Sequence, residues 1–65
     1  MNAIEYEQQG FIKGASAKVK FTGYKVVLVS SPKVDVDGVV KAWAAMEFDT
    51  HVRFLASLDD LELTT

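Results

Sequence analysis

The sequence predicts a mainly β protein, a small five-stranded barrel with a short helical turn near its C-terminus. Three observations carry that expectation. Residues 17–21 alternate strictly between apolar and lysine. Residues 39–56 alternate over a longer span and fold back in one register that joins two apolar sets. Turn residues punctuate the chain between these runs: Thr22-Gly23, Ser31-Pro32 and Asp37-Gly38. Period-two patterning bounded by such residues is the signature of half-buried strands.

Taken in order, residues 1–10 are mostly polar and end at Gly10, which reads as a tail or a short helical turn. The barrel is expected over residues 11–63, within one domain spanning 1–65. Ala17, Val19 and Phe21 share one strand face, and Lys18 and Lys20 the other. After the Thr22-Gly23 turn, Tyr24 to Ser30 is rich in β-branched residues and apolar on both faces at its centre, as a covered strand should be. Pro32 ends it, because proline cannot donate to a ladder. Asp37-Gly38 between apolar residues is a hairpin signal.

In residues 39–48 the even positions Val40, Ala42, Ala44, Met46 and Phe48 are all apolar, whereas the odd positions are mixed. A loop at residues 49–51 sets Phe48 against Val52, Met46 against Phe54 and Ala44 against Ala56. It also sets Glu47 opposite Arg53 and Ala45 opposite Leu55 on the outer face. That register asks His51 for a left-handed backbone, which favours glycine. Ser57 to Leu61 then reads as a tight helical turn before a closing strand at Glu62-Leu63. Val39, Val40, Trp43 and Met46 also fit helical spacing, with Asp37 as a cap, so an α+β arrangement stays open.

Bulk properties narrow the function classes. Sixty-five residues bury only about 60% of the surface exposed on unfolding, so the margin of stability is thin. With no Cys and a single His, disulfides and thiolate zinc sites are excluded, which leaves association as the remedy for a small core. The first residues lack the apolar run of a signal peptide. The longest apolar stretch is five residues, Ala42 to Met46, against the ~20 that span a bilayer, so no membrane role is expected and a cytoplasmic location is the default. A formal charge of −2 disfavours nucleic-acid binding, which needs surplus Lys and Arg.

The order of signals resembles SH3-like small β-barrels: Gly14 before Lys18-Val19-Lys20-Phe21, a variable loop, Asp37 to Trp43, a hairpin, a tight turn and Leu61-Glu62-Leu63. Many short barrels of phages, plasmids and gene cassettes are similar. The layout over residues 14–63 is also similar to the plasmid-borne type II dihydrofolate reductases, tetramers built around a central active pore. Their pore motif Val-Gln-Ile-Tyr corresponds here to Val52-Arg53-Phe54-Leu55, where only Val52 matches. The resemblance therefore implies a barrel and self-association, without reductase activity.

No catalytic, cofactor or metal site is expected. His51 beside Asp49 and Thr50 lacks the orienting partner and pocket of a general base. Asp35, Asp37, Asp59 and Asp60 lack the ligand spacing of a calcium loop, and Asp59-Asp60 is explained by local capping. The glycines form no phosphate cradle, and no serine sits in a nucleophile elbow. Trp43, pointing out of the core beside Ala45 and Leu55 and rimmed by Lys41, Glu47 and Arg53, has the composition of a protein interface. The alternative is a second core layer in which Tyr6 or Phe11 covers Trp43. The leading expectation is a non-enzymatic interaction module contacting itself or another protein through Trp43, Ala45, Leu55, Arg53 and Lys41. It would suit an accessory protein of a phage or mobile element. The second is a nucleic-acid-binding barrel using Lys18, Lys20, Lys25 and Tyr24.

Overall fold

A computed structural model describes residues 2–64. The chain is mainly β, a sheet curled into a half-barrel with one short helix and a 3-10 turn. Helix α1 (Ala3–Gln9) is followed by β1 (Ser16–Val19), β2 (Lys25–Leu28), β3 (Lys33–Val34), β4 (Val40–Met46) and β5 (Asp49–Ser57). The 3-10 turn Leu58–Asp60 then leads directly into β6 (Leu61–Leu63). All pairings are antiparallel. β1 pairs with β2, β2 with β4 and β4 with β5, while β6 returns to the free side of β1. The sheet thus has six strands rather than five, the extra one being the two-residue β3 against the start of β4.

The segment expected as a tail or short helical turn is a seven-residue helix with a complete capping box. Asn2 Oδ1 accepts from the Glu5 amide at 2.9 Å, and Glu5 Oε1 accepts from the Asn2 amide at 3.3 Å. Gly10 ends it in the left-handed region at φ 112°, and a Cβ there would meet Leu63 Cδ1 at 3.1 Å. The C-terminal end of the helix therefore comes close to Leu63 of β6.

The even positions of β4 face the core as patterned: Val40, Ala42, Ala44 and Met46 are all buried. With Ala17 and Ala56 also buried, this inner face is made largely of alanine and supplies little volume of its own. The space is filled by Val26 and Leu28 of β2, Leu61 of β6 and residues from outside the sheet. Tyr6 and Phe11 pack edge-to-face at 5.6 Å and 81°, and Leu58 enters from the 3-10 turn.

Three parts of the expected strand layout are corrected. Phe21 is not a core residue but 97% exposed. The Val19 amide donates to Tyr24 O, and the Gly23 amide to Val19 O, so β1 stops at Val19 and the turn takes up 20–23. Phe48 and Val52 are likewise outside the core. The β4–β5 hairpin sets Ala42 against Ala56 and Ala44 against Phe54, two residues away from the expected register, and, beyond an irregularity, Met46 against Asp49, five residues away. The physical reason is the backbone: every positive φ among the described residues belongs to glycine, so His51 does not take the left-handed conformation that the expected loop required. The chain turns earlier, at Glu47-Phe48, and β5 absorbs the surplus as an irregularity before Arg53. Over residues 53–57 the shift is two, which keeps each side chain on its face, so Ala44 and Phe54 still share the inner side. The shift also breaks the expected Glu47–Arg53 pair: Arg53 stands opposite Ala45.

The Asp37-Gly38 hairpin forms as read. Val34 pairs with Val40, the Gly38 amide donates to Asp35 O at 2.9 Å, and Gly38 takes φ 81°.

Candidate functional site

The odd positions of β4 form its outer face, and the ladder joins them to β5: Lys41 faces Ser57, Trp43 faces Leu55 and Ala45 faces Arg53. Trp43 and Leu55 are 49% and 44% exposed, so two large apolar side chains stand side by side in water. The alternative in which Tyr6 or Phe11 covers Trp43 does not occur, because both rings are spent in the core beneath the opposite face.

Trp43 is held by its backbone. Its carbonyl accepts from the Val29 amide at 2.9 Å, and its amide donates to Ser30 Oγ at 2.9 Å. The serine hydroxyl thus takes a place that the departing β2 strand no longer fills. A groove of about 270 Å³ lies here, lined by Ser30, Ser31, Val34, Lys41, Trp43 and Leu55 among others.

Of the residues expected at this surface, Trp43, Leu55 and Arg53 are exposed and adjacent in register. Arg53 Nε donates to Thr50 O at 3.2 Å, across the irregular stretch of β5. Ala45 is not exposed beside Trp43 as expected: it is fully buried, between Val27 and Arg53 in the ladder. Lys41 is partly buried and already engaged, its Nζ lying 3.0 Å from Asp35 Oδ2 and 2.9 Å from Asp37 Oδ2. The Val36 amide and then Lys41 hold the Asp35 carboxyl below its ordinary range. Lys41 and then the Val39 amide do the same for Asp37. Asp37, followed by Asp35, raises the Lys41 ammonium in turn. Lys41 therefore clamps the β3–β4 turn to the sheet.

The second set gathers at the β1–β2 turn. Lys18 and Lys25 are register partners, Lys20 and Lys25 are exposed, and Tyr24 is exposed beside them. Lys18 Nζ lies 3.9 Å from Glu62, which offsets part of this local charge.

His51 is almost fully exposed, with Nδ1 3.4 Å from Asp49 Oδ1. Among the described residues, no three His, Asp or Glu side chains gather as a metal-binding group. Asp59 does not cap the 3-10 turn as expected; its carboxylate accepts the Tyr6 phenol. Among the described residues no helix is long and apolar enough to cross a membrane.

Sequence reasoning missed Ser30 and Val34. The Asp37-Gly38 turn could have placed Val34 opposite Val40, but no local pattern announces that Ser30 bonds Trp43, which lies 13 positions away. No protein-family model, curated protein or solved structure matches the chain.

Proposed function

We propose that this protein is a non-enzymatic protein-interaction module whose contact surface is centred on Trp43 and Leu55, rimmed by Arg53 and Lys41. The observation that carries the reading is the direct opposition of two half-exposed apolar side chains across the β4–β5 ladder. Large aromatic side chains of this kind anchor interfaces, because they bury much area at low cost in conformational entropy. The backbone bonds of Trp43 to Val29 and Ser30 fix the anchor before any partner arrives. The SH3-like layout and a role as a self-associating accessory protein of a phage or mobile element belong to the same proposal. What supports the layout is the chain order, a meander of four strands, a 3-10 turn and a last strand returning to β1.

The test compares wild type with Trp43→Ala by light scattering and by quantitative pull-down. Loss of association with an unchanged circular dichroism spectrum is the expected result. An unchanged mass together with an unchanged set of partners overturns the reading.

A further inference from the structure

We propose that the open edge of β5 pairs with the same edge of a second copy of the chain, antiparallel about a two-fold axis at Leu55. This rests on the interaction-module reading and names its partner. The argument starts from where backbone groups point. The Trp43 carbonyl and amide are both bonded on the β2 side of β4. Successive residues of an antiparallel strand present their backbone groups to opposite edges. Ala42 and Ala44 therefore bond toward β5, through Ala56 and Phe54. That leaves the N–H and C=O of Arg53, Leu55 and Ser57 on the outer edge. β5 pairs only with β4, and no backbone bond satisfies these groups among the described residues.

An open edge is a template for another strand unless something blocks it, and β5 contains no Pro, Gly or Lys. Its usable part is bounded on both sides. The irregular stretch ends at Arg53, and the 3-10 turn begins at Leu58, so the regular edge runs over residues 53–57 with Leu55 at its centre.

Charge selects both the occupant and the register. A two-fold axis at Arg53 would oppose two guanidinium groups, and one at Phe54 would oppose Arg53 to the second copy's Leu55. An axis at Leu55 opposes Arg53 to Ser57, while every ladder group on residues 53, 55 and 57 finds a partner. It also aligns Trp43, Leu55, the second copy's Leu55 and its Trp43 in one row across four strands. The second copy's Arg53 then lies just beyond Ser57 from Lys41 with Asp35 and Asp37, two carboxylates sharing one ammonium, and hence a net negative cluster. The two lie within about one Debye length of each other. The contact falls below the standard ~800 Å² per partner, so the pairing belongs to the weak, concentration-dependent class.

The experiment uses the full chain, which has no native Cys to interfere. Sedimentation across roughly 10 µM to 1 mM should show monomer passing to dimer, with amide exchange at Arg53, Leu55 and Ser57 slowing as concentration rises. Under mild oxidation Leu55→Cys should cross-link, because hydrogen-bonded partners sit about 5.5 Å apart at Cα, within disulfide range. Arg53→Cys should not, its two copies being roughly 13 Å out of step along the strands. Cross-linking of Arg53→Cys alone overturns the proposal. So does a wild type that stays monomeric at 1 mM with unchanged exchange, whatever the fate of the variants. In that case a Trp43-dependent complex with a different polypeptide would leave the interaction-module reading standing, and its absence would remove both.

Discussion

The phenol of Tyr6 donates a hydrogen bond to the carboxylate of Asp59, joining the N-terminal helix to the 3-10 turn 53 positions later. Tyr6 is buried, and Asp59 is exposed at the rim of the same end of the sheet. The bond, followed by burial, holds the phenol above the ordinary tyrosine value of 10.0, because ionising it would set two negative charges side by side.

A raised folded-state value means that this stability is complete below pH ~10 and fades as pH climbs through the folded value. Tyr6→Phe keeps the ring in the core and removes only the hydroxyl. It should cost about 1–2 kcal/mol at neutral pH in a urea melt. Compared with wild type, it should also lose less stability above pH ~10. Parallel alkaline limbs for the two proteins would rule this account out.

Leu28 is among the largest fully buried side chains, on the inner face of β2. Leu28→Ala should cost about 2–5 kcal/mol, since the neighbouring alanines cannot expand to close the cavity. A chain this size holds roughly 3–10 kcal/mol in total, so the variant should lose a large share of its stability, seen as a much lower urea midpoint by circular dichroism.

Gly38 takes φ 81° in the β3–β4 turn, and a Cβ there would meet nothing within 4 Å. The cost of Gly38→Ala is therefore purely that of the backbone, about 1–2 kcal/mol. Gly38→Asn should recover part of it, because asparagine tolerates the left-handed region. Equal melting of the Ala and Asn variants would show that the strain lies elsewhere.

Lys41 holds both Asp35 and Asp37. Their lowered values mean that the stability they contribute is present above the ordinary 3.8 and lost as pH falls through the folded values. Lys41→Met should flatten the acid limb of the stability profile below pH ~4. It should also speed amide exchange at Gly38, whose bond to Asp35 O closes the turn. An acid limb identical to wild type would dismiss the clamp.

What the sequence disclosed, and what it hid, follows from the range of each determinant. Facing is a period-two property, so Val40, Ala42, Ala44 and Met46 were legible as one buried row from their spacing alone. Register depends instead on whether one backbone, at His51, will turn left-handed, and side-chain patterning does not report that. The helix was legible in principle, since Asn2 followed by Glu5 and then Gly10 spells both of its ends. The burial of Tyr6 was not, because its partners Phe11, Leu58 and Asp59 meet it only in the folded chain. At the candidate site, Trp43 and Leu55 were readable as outward-facing. The covering of Ala45 and the capture of Lys41 by two carboxylates depend on neighbouring strands and turns.

The return of β6 to the free side of β1 sets Ala17 against Leu63. These partners are 46 positions apart (63 minus 17), so closing their loop costs more chain entropy than zipping the β1–β2 or β4–β5 hairpin. In refolding, β6 should therefore dock last. Until it does, the bare flank of β1 is a strand without a neighbour, and that is the stage at which two copies are most exposed to mispairing.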